Sequence, residues 1–230
     1  MKKLLITCAA LLIFSFAAYA TDYQQFDTFL GYTYTRFETG NFVPAPFNEN
    51  LPSFNAHGGS AQFGYNFNRW FGLVLDAGAV HGTGVGNFDN RILFPSTFSR
   101  GGLDMTVANY LLGPRVRWGS HGRFQPYIQA LFGGATAWQS LPVPNVALVN
   151  PLGAVILPTG ANLQFARTTS GFAMTAGGGI DIKLNNHVYF RPIQAEYFLT
   201  RLSPIGAFGV TNRNNFRYSV GINFSYGEPR

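Results

Sequence analysis

Charge is what this sequence has least of. Only 11% of its 230 residues are Asp, Glu, Lys or Arg, against about 25% in an ordinary soluble domain. Cysteine is nearly absent as well: the single one, Cys8, lies in an apolar stretch near the N-terminus. Everything after it is therefore closed to thiol catalysis, thiolate metal sites and a disulfide framework. Beyond residue 20 no apolar run approaches the ~20 residues that a membrane-crossing helix requires. With 27 Gly and 13 Pro there is little room for long helices of any kind.

Clustered charge is missing too. The formal net charge is +6, and removing Lys2 and Lys3 leaves +4 for the rest. The arginines are scattered singly, without the stripe or patch that a polyanion site needs, so nucleic acid is not a partner. There are four histidines, and no two His, nor a His and a carboxylate, stand at ligand spacing, so no metal site is expected.

What is present begins with a secretory pattern. Lys2 and Lys3 precede an apolar core from Leu4 to Phe16, and Ala18-Tyr19-Ala20 forms a small-x-small site. Residues 1–20 read as a cleaved signal peptide and residues 21–230 as one domain. The rival, an uncleaved membrane helix, is short and has no stop-transfer charges after it. Cys8 lacks the flanks that lipid attachment would need. Aromatic residues make up 16%, including 23 Phe. A charge-poor, aromatic-rich chain without helical spans can sit in a membrane only as a closed barrel, because lipid satisfies no backbone hydrogen bonds.

Alternation of period two supports that reading. In Asn215 to Tyr226, Phe216, Tyr218, Val220, Ile222, Phe224 and Tyr226 share one face, and Arg217, Ser219, Gly221, Asn223 and Ser225 the other. The pattern recurs in Phe26 to Phe37, Gly59 to Asn68, Trp70 to His81, Asp104 to Trp118, Phe124 to Trp138, Gly171 to Leu184 and Val188 to Arg201. The last of these changes phase midway, and a bulge at Pro192-Ile193 restores it. The expected fold is all-β: an eight-stranded antiparallel up-and-down transmembrane β-barrel.

The apolar faces are expected to point outward. Most strand glycines share the other face with the strand charges, which suits the narrow interior of an eight-stranded barrel. The apolar face instead ends in large aromatics. Tyr34, Trp70, Trp118, Trp138 and Tyr226 are candidates for an interfacial girdle. Connections alternate in length. Asn68-Arg69, Gly119 to Arg123 and Asn185-Asn186 are short, with Asn-Asn read as a two-residue hairpin turn. Glu38 to Gly58, Gly82 to Leu103, Gln139 to Ser170 and Leu202 to Asn214 are long. Short periplasmic turns and long external loops are the pattern of a membrane barrel.

Asn109-Tyr-Leu-Leu-Gly-Pro-Arg-Val-Arg-Trp118, Phe124-Gln-Pro-Tyr-Ile-Gln-Ala-Leu-Phe-Gly-Gly134, Arg191-Pro-Ile-Gln-Ala-Glu-Tyr197 and Tyr218-Ser-Val-Gly-Ile-Asn-Phe224 resemble strands of the OmpA-like outer-membrane β-barrel family. The likeness extends over nearly all of residues 21–230. It implies residence in the outer membrane of a Gram-negative bacterium, contact with outer-membrane lipid and handling by the barrel-assembly machinery, with no cofactor. One departure stands out: such chains usually end on an aromatic residue, whereas Gly227 to Arg230 follow Tyr226.

The strongest candidate site is an interior charge set comprising Asp76, Arg115, Arg117, Asp181, Lys183, Arg191, Glu196 and Arg217. Glu196 and Arg217 flank the last long loop at similar distance, and Asp181 nears Arg191 across the Asn185-Asn186 turn. The set reads either as a gated ion path or as a structural network that satisfies buried charge, and the narrow interior favours the second. Catalysis is weakly supported. His57 and His81 sit at outer strand ends, His121 and His187 at periplasmic turns, and no His-x-Ser occurs to place a base beside a nucleophile. The apolar loop stretches Phe42 to Phe54, Gly82 to Gly102 and Gln139 to Gly160 are either contact surfaces for an extracellular ligand or host surface, or segments that strand extension and mutual packing bury. Three functions remain in order: a non-enzymatic envelope or partner-binding barrel, a narrow channel for ions or small hydrophobic solutes, and a lipid-modifying enzyme.

Overall fold

The computed structural model describes residues 23–38, 53–88, 99–118, 122–149, 155–202 and 213–227, with side chains left undescribed at 85–88, 99–103, 141–149, 155–165 and 213. The proposed signal segment, the tips of the long loops, His121 and the last three residues lie outside the described residues. Eight strands follow one another: β1 (Phe26–Phe37), β2 (Phe54–Asn66), β3 (Phe71–Phe88), β4 (Ser99–Arg117), β5 (Phe124–Val149), β6 (Val155–Lys183), β7 (Val188–Arg201) and β8 (Arg213–Tyr226). Each pairs antiparallel with its neighbour in sequence, and β1 pairs with β8 to close the barrel. No helix among the described residues is long and apolar enough to cross a membrane.

Strands β1 and β7 have the bounds that the alternation predicts. The register of β7 against β8 shifts between Arg191 and Gln194, so a bulge does stand at Pro192-Ile193. The central strands, by contrast, run far beyond their two-faced segments. Strand β5 has 26 residues and β6 has 29, where about 9–11 cross a bilayer. Their backbones stay paired from Gln139↔Arg167 out to Val149↔Val155. Much of what reads as loop at Gly82 to Leu103 and Gln139 to Ser170 is therefore hairpin. The alternation fades there because period two reports a difference between two environments. Above the membrane, both faces of a ribbon meet similar surroundings.

The short turns are built by asparagine side chains. Asn68 Oδ1 accepts from the backbone N–H groups of Trp70 (2.8 Å) and Phe71 (2.9 Å). Asn185 Oδ1 accepts equivalently from His187 and Val188, both at 2.8 Å. The second turn spans Leu184 to His187 and differs from the expected two-residue Asn-Asn hairpin, because the Asn185 side chain closes a wider connection. Inside the wall, strands approach closely at glycine. A Cβ on Gly113 would lie 2.0 Å from the carbonyl oxygen of Ala130, and one on Gly133 2.1 Å from that of Tyr110.

The faces divide as the alternation requires. Leu75, Leu112, Ile128, Phe132 and Phe216 are outward and about half exposed, which in water would be a severe liability and in lipid is the favoured arrangement. The interior has two layers. Toward the turn end it is polar and charged. From Leu111 and Leu131 out to Phe37, Phe54 and Leu202 it is an apolar cluster that includes Met105, Val107 and Phe198.

Candidate functional site

The lower interior is an ion layer of four guanidinium and four carboxylate groups. Arg191 bonds Asp181 through Nε to Oδ1 (2.6 Å) and Nη2 to Oδ2 (3.0 Å). Arg217 reaches Asp76 with Nη1 (2.8 Å) and Glu196 with Nη2 (2.6 Å), and Glu196 and Arg217 are direct register partners on β7 and β8. Arg115 Nη1 lies 2.9 Å from Asp27 Oδ1. Arg117 Nη2 lies 3.2 Å from Asp27 Oδ2 and 3.9 Å from Asp181 Oδ2.

Amides join these pairs into one network. Gln62 donates to Asp76 (3.1 Å) while its Oε1 accepts from Arg115 (2.8 Å) and Arg191 (2.9 Å). Gln129 accepts from Arg115 (3.0 Å) and donates to Glu196 (2.8 Å). Asn109 donates to Asp76, and Gln194 accepts from both Arg191 and Tyr127. Arg191 is also held between aromatic faces, 4.3 Å from the ring centroid of Phe29 and 4.5 Å from that of Tyr127. A charge taken out of water is tolerated only when it is paired and hydrogen-bonded. Each of the eight charged groups has such a partner, while Arg117 Nε and Gln194 Nε2 are buried without an acceptor among the described residues, and Arg217 Nη2 meets Glu196 as an ion pair only.

Of the eight interior residues singled out in the sequence, the structure joins Asp76, Arg115, Arg117, Asp181, Arg191, Glu196 and Arg217. Lys183 is half-buried at the end of β6 and has no carboxylate partner among the described residues. The sequence reading overlooked Asp27, which pairs with two arginines. Its signal was its place on the same face of β1 as Gly31, Thr33 and Thr35. The apolar layer above was overlooked as well.

The five aromatic girdle candidates all face outward. Trp70, Trp118 and Tyr226 stand at the turn rim, 40–43% exposed, and Trp138 at the opposite rim, 46% exposed. Tyr34 is half-buried beside His57 (5.3 Å between ring centroids) and Tyr218 (6.3 Å). His57 and His81, far apart in sequence, are register partners on β2 and β3. Their imidazoles bond away from each other, His57 Nδ1 to Tyr32 Oη and His81 Nδ1 to Thr106 Oγ1 (2.9 Å). No three potential metal ligands gather among the described residues.

A closed eight-stranded barrel with an apolar exterior and a salt-bridged interior is a membrane barrel of the smallest kind. The chain matches the outer membrane protein beta-barrel domain over residues 6–225 and belongs to that family. Among solved structures it is similar to Ail, the attachment invasion locus protein of Yersinia pestis, determined in complex with the heparin analogue sucrose octasulfate. That match has 12% identity, 89% of this chain, 99% of the other and a TM-score of 0.50. It is also similar to OprG from Pseudomonas aeruginosa, with 12% identity, 90% and 99% coverage and a TM-score of 0.47. Neisserial surface protein A follows at 11% identity, 87% and 97% coverage and a TM-score of 0.46. No curated protein matches. Family and fold together point to a Gram-negative outer membrane.

Proposed function

We propose that this protein is a non-enzymatic, non-conducting outer-membrane barrel that serves as a rigid scaffold, presenting its outer hairpins to an extracellular ligand or host surface. The observation that carries this reading is the double seal of the lumen. An ion layer with Arg115, Arg191 and Arg217 almost wholly buried lies beneath an apolar layer reaching Phe37, Phe54 and Leu202. Such an interior anchors a wall. The β5–β6 hairpin supports the binding half of the proposal, since it continues well past the length a bilayer needs, and loops on rigid scaffolds commonly carry recognition.

On this reading residues 1–20 are removed, the outward face meets outer-membrane lipid, and the barrel-assembly machinery inserts the chain. N-terminal sequencing of the membrane-bound protein should begin at Thr21. The discriminating measurement is conductance of the refolded chain in planar bilayers. A silent membrane is expected; steady single-channel openings would establish the channel instead. Altered lipid A on overexpression would establish an enzyme. Deleting residues 141–165 should abolish cell-surface binding while the gel band of the folded barrel persists; unchanged binding would refute the scaffold role.

A further inference from the structure

In an up-and-down barrel seven of the eight strand junctions are backed by a covalent connection. The β1–β8 seam alone is held by non-covalent contacts, so its closure must overcome the entropy of joining the chain's two ends. At the turn end of that seam the short segment before β1 is tied down on every side. Tyr23 Oη donates to the carbonyl of Phe67 in the β2–β3 turn (2.7 Å). The Gln24 amide donates to the carbonyl of Asn186 in the β6–β7 turn. The Gln25 N–H donates to the carbonyl of Gly227 (2.9 Å), its carbonyl accepts from Asn66 N–H (2.8 Å), and its side chain donates to Tyr65 Oη (3.1 Å).

The C-terminal partner is shaped for this. Gly227 has φ of 84°, a conformation L side chains avoid. Directly after Tyr226 it presents its carbonyl to Gln25. Below it Phe26 stacks on Tyr226 at 5.8 Å and packs on Tyr65 at 5.3 Å, while Thr28 Oγ1 lies 3.1 Å from Tyr226 Oη. One residue joins this arrangement to the lumen. Asn66 Nδ2 donates both to the carbonyl of Gln24 (3.0 Å) and to Asp27 Oδ2 in the ion layer (3.1 Å).

We infer that Tyr23–Gln25 is a strap that latches the periplasmic end of the β1–β8 seam, with Asn66 coupling the latch to the ion layer so that seam and plug open together. The inference rests on the barrel alone and stands whether or not the lumen conducts. The strap extends the seam one step past its last ladder pair, Phe26↔Tyr226, through the bond from Gln25 to Gly227.

The test uses the processed chain, Thr21 to Arg230, refolded into lipid vesicles. In this chain without other cysteines, a Cβ on Gly227 would lie 3.5 Å from that of Gln25, within disulfide range, and 2.9 Å from Phe26 Cδ2 at a φ that strains any L residue. Gly227→Ala carries the same strain and serves as the control. Gln25→Cys with Gly227→Cys should cross-link on oxidation. The cross-linked barrel should convert from folded to unfolded gel band at a higher temperature than its reduced form and than the Gly227→Ala control. Both thiols remaining reactive in the folded band would overturn the strap. Asn66→Ala should lower the conversion temperature by roughly 5 °C, and by less in an Asp27→Asn background, where its partner in the ion layer is already gone. Thr136→Ala, which breaks an outward hydroxyl pair at the other rim (2.9 Å), should have the same small effect in either background. An Asn66→Ala effect equal in both backgrounds would overturn the coupling. Gln24→Ala replaces Asn66→Ala if the latter fails to fold, with the same expected direction.

Discussion

Arg191 grips Asp181 with two parallel hydrogen bonds, 2.6 and 3.0 Å, in a site from which both side chains are almost wholly excluded from water. The fork geometry, together with the rings of Phe29 and Tyr127 on its faces, is specific to a guanidinium. Asp181→Asn should therefore leave an uncompensated charge and cost about 3–5 kcal/mol. Arg191→Lys should lose one bond and the stacking, and recover only part of the stability. Urea unfolding of the refolded barrel in vesicles reads both. Pairing Asp181→Asn with Arg191→Met should cost less than the two single changes summed, because the stranded charge is gone. Strict additivity would show that the pair does not act as a unit.

Asp27 should matter as much, although it sits close to the chain's beginning. It faces Arg115 at 2.9 Å and Arg117 at 3.2 Å, so Asp27→Asn removes one anion from between two cations. Like charges then face each other, and a loss on the order of 3–5 kcal/mol is expected. Arg117→Gln in the same background should restore part of it. A midpoint in urea that Asp27→Asn leaves unmoved would remove Asp27 from the network.

Asp27 also shows where the sequence was legible and where it was not. Facing was readable wherever the two sides of a strand meet different surroundings. Phe216, Tyr218 and Val220 against Arg217 and Ser219 are therefore unambiguous, and Glu196 finds Arg217 through the shared loop. Two kinds of information were hidden. Runs such as Tyr110-Leu111-Leu112 and Ala130-Leu131-Phe132 are apolar on both faces, so nothing in the pattern shows that Leu111 and Leu131 line an apolar upper lumen. Contacts across the barrel are set by strand tilt and stagger, which no local period encodes. Asp27 meeting Arg115 on β4 and Gln62 bridging Arg115 to Arg191 therefore required the closed structure. Similarly, His57 opposing His81 follows from the register of β2 on β3.

Two seals in series make a conductance prediction that a single plug would not. Arg217 spans Asp76 and Glu196, and its guanidinium lies 5.7 Å from the Phe198 ring centroid in the apolar layer above. Arg217→Ala alone opens the ion layer beneath an intact cap, and bilayers containing it should stay silent. Arg217→Ala with Phe198→Ala removes material from both layers and should give discrete openings. Openings from the single variant would place the whole barrier in the ion layer.

The outward face provides a check that depends on depth. Leu75 and His81 lie on the same strand and point to the same side. Leu75, half exposed among Phe63 and Leu112 as register partners, stands in the middle of the apolar band. His81 stands at its outer edge, bonded to Thr106. An arginine at the bilayer midplane of such a barrel costs about 2–4 kcal/mol, falling to about 0–1 near the interface. Leu75→Arg should therefore lower the urea midpoint in vesicles strongly, and His81→Arg hardly at all. The reverse substitution inside, Arg115→Leu, removes the partner of buried Asp27 and should also be costly despite being the more apolar change. A chain that accepted Leu75→Arg but not His81→Arg would have its membrane boundary elsewhere. One that tolerated Arg115→Leu better than wild type would have its faces reversed.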